Sequence, residues 1–469
     1  MKVQIKFGTS GWRAIMADEF TFENIRRAVV GIARHVSSLK PSGARVIVGR
    51  DPRFLGESFV ALAADILATH GITPIVVTDP APTPAIAYEV TRAKTDGAIN
   101  FTASHNPAEY NGIKFSTPDG APALPDVTKN IEAAVAAADA ETTPPQLGES
   151  KAEKQEVSIK KEYLNRLKQL VDIPAIKASG MKIAFDPLWG AARGYSDVLL
   201  REAGVDVTTI HDFRDVLFGG HAPAPDDEYL NDLKAAMKKS SARIGIACDG
   251  DADRFGIIDD DGTFISPNYV IALLFDYMVE SRGWKNGVAK SVVTTNMVNA
   301  LAAQHKIELY ETPVGFKYIG ELIMQDKIAI GGEESAGLSI RGHVPEKDGV
   351  LAGLLCCEMV AKRGYSMKQQ LKRLFNQVGS FYPVRENFRL TPEVKAKFTA
   401  KLATDPRDLD GRKVVEVVRK DGLKLIFEDG SWVCFRLSGT EPVVRVYSEA
   451  RAEADCMKLS SAAKRWIET

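Results

Sequence analysis

Short apolar runs alternate with longer segments of helical spacing along most of the chain, and this alternation restricts the folds open to it. Behind Thr21, Ile25, Val29, Ile32 and Val36 recur at the spacing of one helix face. Residues 45–49 then read as a buried strand, 58–70 as a helix and 73–77 as a second strand. Strands joined through helices run parallel, and such sheets are covered on both faces. At 469 residues the chain is too long for one core, since a domain holds roughly 100–200 residues. Three or four units are therefore expected.

The stretch 139–150 (DAETTPPQLGES) breaks the rhythm and reads as a linker, closing a first unit at 1–145. A second unit, 151–260, has a helix near 158–170 and strands at 182–185 and 243–247. A third, 261–376, has a helix at 268–280, strands at 292–294, 308–312 and 328–331, and helices near 349–363 and 367–376. The last, 380–469, differs: strands at 413–418, 423–427, 432–436 and 443–447 follow one another through short turns such as Asp429-Gly430. That pattern predicts an antiparallel sheet with flanking helices. The predicted class is α/β, with three parallel or mixed-sheet units and a smaller C-terminal α+β unit.

Lys and Arg total 60 against 61 Asp and Glu, so no global basic field exists to hold nucleic acid or an anionic membrane. No apolar run reaches the ~18 residues of a spanning helix, and residues 1–7 lack the pattern of a secretory leader, so a cytoplasmic setting is expected. Cys248, Cys356, Cys357, Cys434 and Cys456 sit mostly in apolar runs without a C-x-x-C pair, which predicts small buried hydrophobes rather than zinc or redox chemistry.

Four segments carry candidate chemistry. In 101–115 (FTASHNPAEYNGIKF), Ser104 follows the apolar strand 97–101 in a polar turn, at the sheet edge where α/β proteins take ligands. Lys114 alternates with Ile113 and Phe115, so on a strand it points away from both. An ordinary turn with a solvated lysine fits the same residues. In 248–255 (CDGDADRF), Asp249, Asp251 and Asp253 alternate after the strand 243–247. Carboxylate pairs ~4 Å apart repel by about 4 kcal/mol at an effective dielectric of ~20, a penalty that a divalent cation removes. Oxygen ligands favour magnesium or calcium. An EF-hand would need Gly where Arg254 stands and Glu where Asp260 stands. A solvated acidic turn remains the alternative.

In 330–338 (IGGEESAGL), Glu333 and Ser335 could hold sugar hydroxyls, although a helix start with acidic first-turn residues would look alike. In 436–442 (RLSGTEP), Arg436, Ser438, Gly439 and Thr440 could build an anion nest, with Arg445 beyond, or simply a hairpin turn.

Taken together, the chain resembles the alpha-D-phosphohexomutase family over essentially its whole length. The resemblance rests on GTSGWR at 8–13, TASHNP at 102–107, DGDADR at 249–254, GEESAG at 332–337 and RLSGTEP at 436–442, in that order. It implies four units around a central cleft, each giving one loop, and a mutase that moves phosphate between the 1- and 6-positions of a hexose through phosphorylated Ser104. It further implies one Mg2+ held by Ser104, Asp249, Asp251 and Asp253, phosphate positioning by Arg254, proton transfer by Lys114, and support from Arg13 and His105. Gly332, Glu333 and Ser335 would meet the sugar, and Arg436, Ser438, Gly439, Thr440 and Arg445 the distant phosphate. The stretches TPVGFK (312–317) and HVPEKDG (343–349) are similar to phosphoglucomutase-type members, which points to glucose and adds Lys317 and Lys347 as cleft residues. Ala336 departs from the Phe of the better-known glucose enzymes.

Glucose 1,6-bisphosphate is then the expected intermediate and activator, a small sugar phosphate the expected partner, and a monomer or homodimer the expected state. Burial and neighbouring cations are expected to lower the pKa of Lys114 so that it can accept a proton, and a hinge near 379–383 to let the last unit close. Within the resemblance a mannose-specific or bispecific mutase, then a glucosamine-phosphate mutase, are the alternatives; a metal-dependent sugar phosphatase using the same serine, or a silent phosphosugar-binding protein, are the rival classes.

Overall fold

The computed structural model describes residues 3–8, 10–140, 149, 151–437 and 443–468. The first predicted helix runs Phe22–Leu39, and the Thr21 side chain caps it by accepting from the Asn24 N–H. Its stripe of Ile25, Val29 and Ile32 is fully buried, which is where most of the stabilisation of such a helix arises. The sheet beneath it runs in the order Trp12–Ile15, Tyr110–Ser116, Ala98–Phe101, Arg45–Arg50, Thr73–Val77, Gln155–Val157. Its last four strands are parallel, and the first two join antiparallel. The sixth strand comes from beyond the predicted linker, most of which lies outside the described residues.

The second sheet is Phe255–Asp259, Ile244–Cys248, Ile183–Asp186, Val207–Thr209, and the third is Leu309–Thr312, Gly287–Ser291, Ile328–Glu333, Gly337–Ile340. One device recurs in all three α/β sheets. A strand paired in parallel on one side turns back through a tight loop into an antiparallel return strand: Ala98–Phe101 into Tyr110–Ser116, Ile244–Cys248 into Phe255–Asp259, and Ile328–Glu333 into Gly337–Ile340. The three turns hold Ser104, the aspartate loop and the Glu333–Ser335 loop. The fourth sheet, running Tyr382–Arg389, Val443–Ala450, Trp432–Leu437, Leu423–Phe427, Arg412–Val418, Asp408–Leu409, is antiparallel throughout. All five cysteines are free and buried, as their surroundings predicted.

One predicted strand is misplaced. The central strand of the third sheet is Gly287–Ser291, not 292–294. Gly287 and a fully buried Lys290 hide it from an apolarity reading, while Val292 and Val293 pack instead against Trp432, Cys434 and Tyr447 of the fourth unit. That junction is heavily polar as well. Lys424 Nζ donates to Val292 O at 2.7 Å and lies 4.1 Å from the Trp432 ring centre, and Glu449 Oε1 accepts from both Trp432 Nε1 and Asn296 N at 2.9 Å. The predicted hinge at 379–383 enters the strand Tyr382–Arg389 directly, and the Phe381 carbonyl accepts from the Tyr269 hydroxyl at 2.8 Å.

Candidate active site

Each of the three turns contains a non-glycine residue in left-handed backbone: Ser104 at φ 53, Ala252 at φ 58 and Ala336 at φ 68. Such residues cost on the order of 1–3 kcal/mol each and persist only where the surroundings fix them. At Ser104 the restraint is visible. Its N–H donates to Thr102 Oγ1 at 2.8 Å, and its carbonyl accepts from Arg53 Nη2 at 2.8 Å. Arg53, fully buried, also donates through Nη2 to Asn106 O at 2.6 Å, through Nη1 to Pro107 O at 2.7 Å and Tyr110 O at 2.9 Å, and through Nε to Asp51 Oδ2 at 3.0 Å. A planar fork of five N–H groups suits such a gathering of carbonyls, which an ammonium could not span.

Ser104 Oγ donates to Asp249 Oδ2 at 2.7 Å, and His105 Nδ1 lies 3.5 Å from the same serine oxygen. From the return strand, Lys114 leaves Ile113 and Phe115 in the core and reaches the aspartates: Nζ donates to Asp251 Oδ2 at 2.5 Å and Asp253 Oδ2 at 2.7 Å. Lys347 Nζ adds a second bond to Asp253 Oδ2, also at 2.7 Å. Thr83, first residue of the helix Thr83–Ala93, meets Asp251 twice, its hydroxyl donating to Oδ2 at 2.5 Å and its N–H to the backbone carbonyl at 2.9 Å. Asn100 Nδ2 holds the Thr83 hydroxyl at 2.8 Å. Arg13 Nη1 donates to Asn106 Oδ1 at 2.7 Å, and Arg254 donates its N–H to Asp249 Oδ1 at 3.0 Å while its guanidinium lies 3.8 Å from Asp253.

The electrostatics correct one expectation. Burial by itself lowers Lys114, but Asp251 and Asp253 outweigh it and raise the ammonium above its ordinary value, so here Lys114 is a paired cation and not a proton acceptor. Burial raises Asp253, and Lys114, Lys347 and Arg254 pull it well below the usual carboxylate range. Asp249, with burial and its two acidic neighbours against it, is pushed up to about 8. Burial, with Arg254 and Arg13 adding to it, holds His105 well below the normal imidazole value, and so neutral. The repulsion read from the sequence is thus relieved by two lysines and by Asp249.

The three carboxylates nevertheless suit a hard cation. One oxygen from each of Asp249, Asp251 and Asp253 lies within 4.8 Å of the others, and Asp251 Oδ1 and Asp253 Oδ1 are buried without a hydrogen-bond partner. Oxygen donors of this kind fit Mg2+.

A cleft of about 230 Å³ brings all four units together, with His105 from the first, Arg254 from the second, Asn268, Ser335 and Ala336 from the third, and Arg385 and Tyr447 from the fourth. Glu333 points elsewhere: its Oε1 accepts from Gly315 N at 2.6 Å, which braces the 312–317 stretch, and burial beside Glu334 pushes it up to about 7. Gly332 lies against Ile271. Lys317 and Lys347 share a smaller cavity with Lys114. Arg436 pairs with Asp421 at 2.9 Å, so its fork is already half engaged, and Arg445 stands opposite it in register. Ser438, Gly439 and Thr440 lie outside the described residues. Sequence reading missed Arg53 and Thr83; their only local signals are DPR after the strand Arg45–Arg50 and Thr-Pro at a helix start.

Four family models match in chain order: Phosphoglucomutase/phosphomannomutase alpha/beta/alpha domains I (residues 4–142), II (161–262) and III (266–378), and the C-terminal domain (393–463). A phosphoglucomutase/phosphomannomutase of Thermococcus kodakarensis is 32% identical over 95% of each chain, and human phosphoglucomutase-1 is 30% identical over 97% of this chain and 92% of its own. A phosphoglucosamine/phosphogalactosamine mutase of Sulfurisphaera tokodaii is 27% identical over 98% of this chain and 99% of its own. A crystal structure of a protein from Thermus thermophilus superposes over the whole of both chains with a TM-score of 0.86 at 30% identity.

Proposed function

The chain belongs to the phosphoglucomutase/phosphomannomutase family, and from that premise we propose that it interconverts hexose 1-phosphate and hexose 6-phosphate, with glucose as the preferred sugar and Ser104 as the phosphoryl carrier. The observation that supports this most is the 2.7 Å contact of Ser104 Oγ with Asp249, beside Asp251 and Asp253 and within the reach of His105.

Phosphorylated Ser104 donates to a hexose monophosphate: the bond from phosphorus to the serine oxygen breaks as a bond to a sugar hydroxyl oxygen forms, and the proton that the hydroxyl gives up ends on the freed serine oxygen. The product is a hexose 1,6-bisphosphate. After turning, it returns its other phosphate to the serine oxygen and leaves as the isomeric monophosphate. Such transfer depends on positioning and charge neutralisation. Ser104, Asp249, Asp251 and Asp253 would hold Mg2+, which when bound supplies neutralisation of charge on the transferring group. In this reading Lys114 takes the proton once Asp251 and Asp253 no longer sustain its charge, a state that differs from the paired cation described above. Arg254 positions phosphate, and Arg13 steadies the serine loop through Asn106. Ser335 meets sugar hydroxyls, while Arg436 and Arg445 flank the loop for the distant phosphate.

Glucose is favoured by the 312–317 and 343–349 stretches, to which Lys317 and Lys347 belong. Turnover of glucose, mannose and glucosamine 1-phosphates, with magnesium and the matching bisphosphate, tests the reading. Glucose should show the highest kcat/KM. A faster mannose or glucosamine ester refutes the preference, and release of inorganic phosphate in place of isomer refutes the mutase.

A further inference from the structure

A larger cavity, about 490 Å³, lies between the first and second units, walled by residues 77–81, by 158–160 and by Ala191, Arg193, Gly194, Tyr195, Asp197 and Asp212. None of the groups assigned to the catalytic cleft lines it. Its size is that of a small-molecule site, typically about 300–1,000 Å³. It sits directly behind the aspartate loop: Ala191 N–H donates to Gly250 O at 2.9 Å, and the segment 77–81 runs on to Thr83, which holds Asp251.

Two cations face this space without a carboxylate within ion-pair distance among the described residues. Lys160 rests its ammonium 5.1 Å from the Tyr195 ring centre, and Arg193 commits only Nε, to Gly190 O at 2.9 Å. The helix Lys160–Leu170 begins at the same wall, and Ile159 at its N-cap offers no side-chain oxygen to its first N–H groups. Unpaired cations at an uncapped helix start suit a phosphate. The acidic groups are disposed differently. Asp197 is engaged by Arg201 through Oδ2 at 3.1 Å and keeps a buried Oδ1 without a hydrogen-bond partner, free to accept from a hydroxyl, and Asp79 and Asp212 are exposed, where they can also accept from hydroxyls. Val77, Pro80, Ala81 and Ile159 supply apolar wall.

We propose that this cavity is a second ligand site, taking a polyhydroxylated phosphomonoester with its phosphate on Lys160 and Arg193 and its hydroxyls toward Asp79 and Asp212. It stands independently of the catalytic reading. Hydrogen–deuterium exchange of the full chain, titrated separately with 6-phosphogluconate and with inorganic phosphate, tests it by location. The sugar acid phosphate should slow exchange saturably in peptides covering 158–163 and 193–200. The Lys160→Gln/Arg193→Gln variant should weaken that protection by about 10-fold or more, as loss of charge-assisted bonds implies, while protection near Ser104 is kept. Unchanged exchange in those peptides with wild-type chain, or equal protection in the variant, overturns the site. Equal protection by inorganic phosphate at the same concentration overturns the hydroxylated-ester assignment.

Discussion

Replacing Arg53 with methionine should unfasten the loop that presents Ser104. The guanidinium gathers the carbonyls of Ser104, Asn106, Pro107 and Tyr110 and one oxygen of Asp51. Ser104 and Asp51 are essentially inaccessible to solvent, so water cannot replace the lost donor there. A buried acceptor left unsatisfied costs about 1–3 kcal/mol, and breaking a buried ion pair from one side costs about 3–5 kcal/mol. Asp51 keeps the Thr102 hydroxyl at 2.6 Å and the residue 53 N–H at 3.0 Å, which moderates the loss. The expected destabilisation is therefore about 3–5 kcal/mol, or roughly 10–15 °C in Tm for a unit of this size. Because the same bond holds Ser104 in its left-handed backbone, kcat should fall by about 100-fold, the scale of a small misplacement of a reacting group. Arg53→Lys should rescue little, since a point charge cannot reach several carbonyls. Urea unfolding followed by circular dichroism, with turnover measured on the folded fraction, reads both quantities. An Arg53→Met chain within about 1 kcal/mol of wild type and turning over at a comparable rate would show that Arg53 does not hold the serine loop.

Lys290 is fully buried; burial and then Lys424 lower it to about 7, against about 10.5 in the unfolded chain, so the unfolded state binds more protons between those values. The cost of burying the charge, roughly 3–5 kcal/mol by linkage, is full below pH 7 and is relieved as pH rises toward 10.5. Lys290→Met should therefore gain stability most below pH 7 and converge with wild type near pH 10; a pH-independent difference would contradict this. Thr83→Val removes the hydroxyl between Asn100 and Asp251 and should weaken Mg2+ binding about 10-fold by calorimetric titration, the usual scale for groups that orient metal ligands. Unaltered affinity would make Thr83 a packing residue only. Added Mg2+ should raise Tm, by a stabilisation of about 2.7 kcal/mol at 100 times its Kd, and Asp251→Asn should abolish most of that shift.

What could be read in the chain beforehand was whatever is carried by neighbours in sequence. The stripe from Ile25 to Val36, the alternation of Lys114 with Ile113 and Phe115, and the spacing of Asp249, Asp251 and Asp253 each express a local period, and each element formed accordingly. Residues whose work is tertiary were silent. Thr83 meets Asp251 across 168 residues and Arg53 meets Ser104 across 51, so neither leaves a periodic trace. The strand Gly287–Ser291 was hidden because Lys290, a residue type rarely buried, occupies its centre. The charge state of Lys114 was misjudged for a related reason: its nearest partners are the aspartates themselves, and proximity to two carboxylates outweighs burial.

The proposed function stands or falls with Ser104 as carrier of the travelling phosphate, which is checked by incubating the chain with glucose 1,6-bisphosphate and Mg2+ and then locating any covalent phosphate by peptide mass spectrometry. A single phosphate on Ser104 that passes to added glucose 1-phosphate is the predicted result. A chain that isomerises hexose phosphates at full rate with Ser104 unmodified, or with Ser104→Ala, contradicts it.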